Sequence, residues 1–142
     1  LYLSELVKLS LNPEIIKNQK NLKIVYTSIH GTGVELVPQV LKAFGFENVF
    51  SVPEQSIPDG NFPTVHSPNP EEPAALELAI KYAKEKDAEL VLATDPDADR
   101  VGIAVKDLHG NFKLLNGNQT AAILINYLIS QWKEKGKLKG KE

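Results

Sequence analysis

Thr94-Asp95-Pro96-Asp97-Ala98-Asp99-Arg100 is the heptapeptide around which this chain is organised. It joins two apolar runs, 89–93 and 101–107, that have the composition of strands. Its three carboxylates, at i, i+2 and i+4, carry too much like charge to pack in one turn unless a cation holds them. Ligands that are all oxygen favour a hard divalent ion, and three carboxylates leave room on an octahedral Mg²⁺ for water or a substrate phosphate. The heptapeptide therefore predicts a Mg²⁺ site that is incomplete by itself.

Two other interpretations compete for this acidic loop. An EF-hand also begins D-x-D-x-D, but it needs Gly at its sixth position, Glu at its twelfth and a helix on each side. Those two positions are Arg100 and Lys106 here, and strands flank the loop, so the EF-hand is excluded. A solvated acidic turn remains as the alternative. The fixed φ of Pro96 and the guanidinium of Arg100 count against it, because a solvated turn needs neither.

Composition limits the class of protein. With 142 residues, 42% of them hydrophobic and 24% charged, the chain suits one globular domain and possibly a piece of another. A net charge of −2 predicts neither a nucleic-acid nor a membrane partner, and the lack of cysteine excludes disulfides and thiolate metal sites. No apolar run approaches about 18 residues, so a cytoplasmic protein is expected. The chain starts at Leu1 and contains no Met, which favours a fragment of a longer protein.

The order of predicted elements favours an α/β fold. Strand, helix, strand, helix and strand in succession predict a parallel unit with a helix on each face, and a further strand after a tight loop must run antiparallel. The expected fold is therefore a three-layer α/β/α domain with a mixed, mostly parallel four-stranded sheet whose last strand is antiparallel. A short apolar run at 112–115 is not assigned to the sheet. The predicted strands cover 22–29, 48–52, 89–93 and 101–107. The predicted helices cover 34–44, with Gly45 as C-cap, and 72–87, with Ala75, Leu78, Ala79 and Tyr82 facing inward.

The two ends of the chain differ in character from its middle. Residues 1–20 predict a connector from a missing upstream domain, with an amphipathic helix that Asn12-Pro13 ends. Residues 21–115 form the α/β domain, although 53–73 is a long irregular stretch with six of the nine prolines. Residues 116–142 are expected to be the truncated opening helix of a further domain. That helix, capped by Asn118, is apolar on almost every side and has more apolar surface than one such domain can cover.

A second motif, Ser28-Ile29-His30-Gly31-Thr32-Gly33, follows the first predicted strand and precedes a helix. Ligands collect at the carboxyl ends of parallel strands, where this turn and the acidic loop would both fall. Its N–H groups suit a phosphate at the helix N-terminus, although it is neither a dinucleotide fingerprint nor a P-loop. The structural alternative, glycines for a tight turn and a locally hydrogen-bonded His30, stays open. A Ser28 nucleophile lacks an orienting acid, and His66 is either a proton carrier or a hydrogen-bonding residue.

These residues together resemble a known family. The acidic loop, the stretch 26–33, and the stretch from Phe62-Pro63-Thr64-Val65 to Pro68-Asn69-Pro70-Glu71-Glu72 look like the second domain of the α-D-phosphohexomutases, the phosphoglucomutase/phosphomannomutase superfamily. The resemblance covers about residues 1–135, and the acidic loop is its most specific part. The spacing is most similar to the phosphopentomutase-like branch. Gly117-Asn118-Gln119 resembles the opening of the third domain of these enzymes.

The resemblance implies a four-domain isomerase of carbohydrate metabolism. Such an enzyme moves a phosphoryl group between sugar C1 and C6 or C5, through a phosphoserine and a bisphosphorylated sugar. It implies that Mg²⁺ is held by Asp95, Asp97 and Asp99, with Arg100 catalytic in the active cleft. The Ser-His-Asn-Pro nucleophile motif and both sugar-phosphate loops of the family are absent from these residues. The nucleophilic serine is therefore expected on a missing domain of the same chain, and the fragment alone is expected to be inactive.

The partners implied by this resemblance are a sugar phosphate, the bisphosphorylated sugar intermediate and the missing domains. An alternative from a different class remains. The same residues would suit a stand-alone module that binds a divalent metal or a phosphate without turnover.

Overall fold

The computed structural model describes residues 2–140; residue 1 and residues 141–142, the outer ends of the predicted connector and terminal helix segment, lie outside the described residues. The strands are β1 Lys23–Thr27, β2 Asn48–Ser51, β3 Leu90–Thr94, β4 Val101–Lys106 and β5 Phe112–Leu115. The α-helices are α1 Tyr2–Lys8, α2 Pro13–Asn18, α3 Gly33–Phe44, α4 Pro73–Lys86 and α5 Gly117–Glu134, and a 3₁₀ turn covers Pro53–Gln55.

The strands form one mixed sheet in the order β2-β1-β3-β4-β5. Strands β1, β2 and β3 are parallel, and β4 runs antiparallel to β3. The chain crosses from β1 to β2 through α3, then back past β1 to β3 through α4. Right-handed crossovers in opposite directions place these two helices on opposite faces of the sheet. The predicted three-layer α/β/α architecture and the antiparallel fourth strand are confirmed.

The sheet has five strands rather than four. The unassigned run 112–115 pairs antiparallel with β4, with Ile103 opposite Leu115 and Lys106 opposite Phe112. The turn before it explains the pairing, because the Asp107 carboxylate accepts hydrogen bonds from the N–H groups of His109 and Asn111, each at 2.9 Å. This local turn returns the chain alongside β4 and makes a hairpin.

Small side chains let α4 approach the sheet closely. The helix contributes Ala75, Leu76, Ala79 and Ala83 to the core, against Val25, Val91, Ala93 and Ala104 of the strands. The inward stripe was expected at Ala75, Leu78, Ala79 and Tyr82, but Leu78 and Tyr82 are only partly buried. Alanines fit the narrow space above the strands, whereas the larger side chains pack beside it.

The N-terminal segment forms two short helices, and its assignment as a connector from an upstream domain stays a prediction. Helix α1 ends at Lys8 and packs on α3, and Pro13 begins α2 instead of only ending a helix. Proline suits a first helical position because the N–H that it lacks would have no partner there. Gly45 ends α3 with a left-handed φ of 111°, as expected.

Helix α5 begins two residues earlier than expected. Its N-cap is Asn116, not Asn118: the Asn116 side chain accepts from the Gln119 N–H, and the Gln119 side chain accepts from the Asn116 N–H. This reciprocal capping box satisfies two backbone donors that the helix start would leave unpaired. The apolar side chains of α5 are largely exposed, including Ile123 at 57% and Ile125 at 56%. Its assignment to a further domain stays a prediction.

None of the helices within residues 2–140 combines the length and the apolar character needed to cross a membrane.

Candidate functional site

The acidic loop, residues 95–100, leaves the carboxyl end of β3 next to the carboxyl end of β1. It is a tight loop, closed by hydrogen bonds from the Ala98 N–H to the Asp95 carbonyl, at 3.0 Å, and from the Asp95 N–H to the Arg100 carbonyl, at 3.4 Å. Ala98 has a positive φ of 62°, so the chain reverses between Asp97 and Asp99. This reversal brings alternate side chains to the same side.

The structure brings the three predicted ligands together. One carboxylate oxygen each from Asp95, Asp97 and Asp99 lies within 4.8 Å of the other two. The Asp95 side chain is 1% exposed, whereas that of Asp99 is 74% exposed. Among the described residues, no hydrogen-bond donor reaches the carboxylate of Asp97. The cluster therefore has a buried base and an open rim.

The carboxylates in this cluster repel one another, and Arg100 offsets part of their charge. The nearby negative charges of Asp97 and then Asp95 raise the pKa of Asp99 above its ordinary value. Burial by itself would raise the pKa of Asp95, but the hydrogen bonds and charge of Arg100 outweigh burial and hold that pKa below the ordinary value. One guanidinium does not balance three carboxylates, so the rim keeps net negative charge.

Arg100 contacts Asp95 directly. Its backbone N–H donates to Asp95 Oδ1 at 3.0 Å, and its Nε–H donates to Oδ2 at 2.6 Å. The hydrogen bond and charge of Asp95 raise the pKa of Arg100. Its two terminal guanidinium nitrogens make no hydrogen bond to any of residues 2–140. Arg100 therefore closes the loop through one side of its guanidinium and leaves the other side available.

The turn at 28–33 lies against the acidic loop. Both the backbone N–H and the hydroxyl of Thr32 donate to the Pro96 carbonyl, at 2.8 and 3.1 Å. A Cβ on Gly31 would clash with the Pro96 backbone: it would lie 2.6 Å from the carbonyl oxygen and 2.8 Å from the carbonyl carbon. A Cβ on Gly33 would lie 2.9 Å from Thr94 Oγ1. Gly31 therefore permits close packing between the two loops, whereas Gly33 lets the start of α3 approach the strand side chains of Tyr26 and Thr94.

Three backbone donors of this turn are already engaged. The N–H of His30 donates to the Gln55 carbonyl, that of Gly31 to the Ser28 carbonyl, both at 2.9 Å, and that of Thr32 to Pro96. A bound phosphate could not use these three hydrogens without breaking the bonds, and a phosphate at the start of α3 stays a prediction.

Ser28 and His30 do not form a nucleophile and base. The Ser28 hydroxyl is buried and donates to the Gln55 carbonyl at 3.0 Å. Both ring nitrogens of His30 contact the irregular stretch instead: Nδ1 lies 2.9 Å from the Ile57 carbonyl oxygen and Nε2 lies 2.8 Å from Thr64 Oγ1. His66 lies exposed in the same stretch.

The roles of Gln55 and Thr64 in this region were not predicted from the sequence. Gln55 is fully buried, and it hydrogen-bonds to Thr27 and Thr64 on opposite sides. Gln55 belongs to no motif, and Thr64 lies in the stretch 62–72 that carries the resemblance but has no role assigned there. The available signal was the long Pro-rich stretch itself, since a structureless loop of that length in a compact domain is usually functional.

Comparison with known proteins adds to this geometry. Residues 1–110 match the family described as phosphoglucomutase/phosphomannomutase, alpha/beta/alpha domain II. The chain is 46% identical over 113 residues to a phosphoglucomutase of Staphylococcus aureus, covering 80% of this chain and 20% of that protein. It is 49% identical over 115 residues to a "probable phosphomannomutase" of Haemophilus influenzae, covering 81% of this chain and 24% of that protein. The chain thus spans about a fifth to a quarter of the length of these relatives.

Two solved structures are similar as well. A protein of Thermus thermophilus, provisionally assigned as a phosphomannomutase, matches with a TM-score of 0.69 at 25% identity, over 92% of this chain and 28% of that one. A phosphoglucomutase/phosphomannomutase family protein of Burkholderia thailandensis matches with a TM-score of 0.52 at 36% identity, over 64% of this chain and 19% of that one. These names do not test the resemblance to the phosphopentomutase-like branch, which stays a prediction.

Proposed function

Because the chain belongs to the phosphoglucomutase/phosphomannomutase family, in which it matches domain II, we propose that it is the metal-binding domain of a phosphosugar mutase. The observation that carries this proposal is the cluster of Asp95, Asp97 and Asp99, whose oxygens lie within 4.8 Å of one another beside Arg100. The cluster stands at the carboxyl end of a parallel strand, where such sheets bind ligands. Sugar phosphates and the remaining domains of the parent protein are the proposed partners.

The donor set fits Mg²⁺. All three side chains offer carboxylate oxygen, the ligand type that Mg²⁺ prefers, and two of them are exposed at the rim. The mutual repulsion that raises the pKa of Asp99 would be relieved by a cation among the three carboxylates. When bound, the ion supplies positive charge that offsets the negative charge of a transferring phosphoryl group.

The residues of this chain would hold the ion and orient a phosphate beside it. Asp95 keeps the loop closed through its two bonds to Arg100, while Asp97 and Asp99 present their oxygens at the open rim. The unbonded terminal nitrogens of Arg100 can donate to a phosphate at that rim, because a guanidinium matches phosphate oxygens well. We place the nucleophilic serine on another domain of the parent, in keeping with the absence of a Ser-His-Asn-Pro motif from these 142 residues.

A hybrid enzyme tests this proposal. The matching region of the Haemophilus influenzae relative would be replaced by the corresponding segment of this chain, at 49% identity. We expect the hybrid to interconvert sugar 1-phosphate and 6-phosphate in the presence of Mg²⁺, and the isolated chain to show no such activity. The assay follows conversion of glucose 1-phosphate and of mannose 1-phosphate. A hybrid that folds cooperatively but lacks activity on both sugars, or an active isolated chain, would contradict the assigned roles.

The isolated chain is expected to bind Mg²⁺ weakly. Mg²⁺ gives up its waters reluctantly and usually combines one or two carboxylates with substrate phosphates, so three carboxylates alone make an incomplete site. Isothermal titration calorimetry of the chain with MgCl₂ measures this affinity directly. A submicromolar Kd without any phosphate would mean that the site is complete here, and would favour the stand-alone metal-binding module.

A further inference from the structure

A chain of hydrogen bonds with one consistent direction joins the end of β1 and the turn at 28–33 to the irregular stretch. The Thr27 hydroxyl donates to Gln55 Oε1 at 2.7 Å, and Gln55 Nε2 donates to Thr64 Oγ1 at 3.1 Å. The Ile57 carbonyl can only accept, so His30 Nδ1 carries the hydrogen at that contact. In the neutral ring Nε2 then accepts from the Thr64 hydroxyl, at 2.8 Å. Each side-chain nitrogen and oxygen along this path has a hydrogen-bond partner.

The turn held by this network has an unfavourable backbone. Ile29 and His30 are consecutive residues with positive φ, at 46° and 61°. A β-branched residue rarely adopts this conformation, and it persists only where the surroundings impose it. The irregular stretch does so, since Gln55 accepts from the His30 N–H at 2.9 Å and the Asp59 N–H donates to the His30 carbonyl at 3.1 Å. Segment 55–64 therefore holds His30 by its backbone and by both ring nitrogens.

Gly31 and Thr32, the next two residues, connect His30 to the acidic loop. Gly31 lies against the Pro96 backbone, and Thr32 holds the Pro96 carbonyl with two hydrogen bonds. Pro96 stands between Asp95 and Asp97. A displacement of His30 would therefore move the peptide that joins the buried carboxylate to the exposed one.

We propose that His30 and Thr64 are positioning residues for the acidic loop: through the turn at 28–33 they hold Pro96, and with it the carboxylates, in the arrangement that binds a divalent cation. This inference rests on the proposed metal site. Neither residue touches the ion or the substrate. Their effect is on the geometry of the ligands, as with outer residues that orient metal ligands elsewhere.

Substitution of Thr64 tests the inference on the 142-residue chain itself. Thr64→Val keeps the shape of the side chain but removes the hydroxyl that links Gln55 to His30. We expect Mn²⁺, an octahedral oxygen-seeking probe, to bind about tenfold more weakly, the lower end of the range for residues that orient metal ligands. Electron paramagnetic resonance of free Mn²⁺ measures the affinity. Thr64→Ser, which restores the hydroxyl, should bind Mn²⁺ like the unchanged chain.

A second side-chain hydrogen bond in the irregular stretch provides the control. Ser67→Ala removes a hydroxyl that donates to Glu72 at 3.0 Å in the same irregular stretch, away from His30. It should lower thermal stability no more than Thr64→Val, because it removes one exposed bond, and it should leave Mn²⁺ affinity unchanged. If Thr64→Val does not fold, His30→Asn replaces it, because Asn tolerates positive φ and can reach Ile57 but not Thr64.

The outcomes separate this inference from the proposed function. If Asp97→Asn weakens Mn²⁺ binding but Thr64→Val does not, the metal site stands and the positioning role is wrong. If Asp97→Asn itself has no effect on Mn²⁺ binding, the metal site is wrong. Equal loss of Mn²⁺ affinity in Thr64→Val and Ser67→Ala would mean a general effect of loop stability and would overturn the positioning role.

Discussion

Replacing Asp97 by Asn is expected to lower the kcat of the hybrid mutase by about a hundredfold or more, the range for removing one electrostatic contact from a preorganised site. Asn keeps the size of the side chain but removes its charge. Asp97 is the central carboxylate of the cluster, and no protein donor within residues 2–140 compensates it. The lost charge should therefore weaken binding of the cation, and the rate should fall as a result.

Rate, metal affinity and stability together define the result for Asp97→Asn. We expect a higher Mg²⁺ concentration for half-maximal rate and weaker Mn²⁺ binding to the isolated chain. The metal-free fold should be as stable as before or more so, because one of three repelling carboxylates is gone. Asp87→Asn is the control for rate and metal affinity: it removes the same charge just before β3, at the end away from the cluster, where Asp87 pairs with Lys106 and Lys23 and has a φ of 53° that Asn tolerates. An unchanged rate and metal dependence in Asp97→Asn would leave only a solvated acidic turn.

Replacing Gly31 by Ala is expected to separate the two loops of the site. The new Cβ would lie 2.6 Å from the Pro96 carbonyl oxygen and 2.8 Å from its carbonyl carbon, and backbone atoms cannot rotate away. Overpacking costs about 1–3 kcal/mol, and each of the two bonds from Thr32 to Pro96 is worth about 1 kcal/mol. The free energy of unfolding should fall by about 3–5 kcal/mol if both bonds are lost, with weaker Mn²⁺ binding as well.

Urea denaturation of the isolated chain measures the effect of Gly31→Ala, and Gly60→Ala serves as its control. A Cβ on Gly60 meets no atom within 4 Å, so this substitution should change stability by less than about 1 kcal/mol. If Gly31→Ala were as stable as Gly60→Ala and bound Mn²⁺ equally well, the contact between Gly31 and Pro96 would not matter for the site.

Local patterns of the sequence account for most of the fold that could be predicted. The alternation of strands and helices predicted the three layers, and the tight loop after β3 predicted the antiparallel strand. Gly45 ended its helix as expected. These features depend on neighbours within a few residues, or on rules of chain connection that hold for almost every sheet of this kind.

The wrong predictions concern features that depend on a distant contact or on a reciprocal pair of residues. The fifth strand needed a partner in β4, and the α5 cap needed Asn116 and Gln119 together. On α4, Ala83 is fully buried in the core, whereas Tyr82, which was expected to face inward, is only partly buried. Hydrophobic periodicity identifies the inward side of a helix, but the space above the sheet selects which positions on that side are covered completely.

Residue types and their local spacing were enough to predict three carboxylates and an arginine in a tight loop between strands. The folded chain was needed to show how these groups are held. There Arg100 hydrogen-bonds to Asp95, Gly31 packs against Pro96, and Gln55 is linked to His30 through Thr64. A hydrogen bond between residues separated by tens of positions leaves no periodicity or spacing in the sequence, because it exists only when the folded chain brings a donor and an acceptor together.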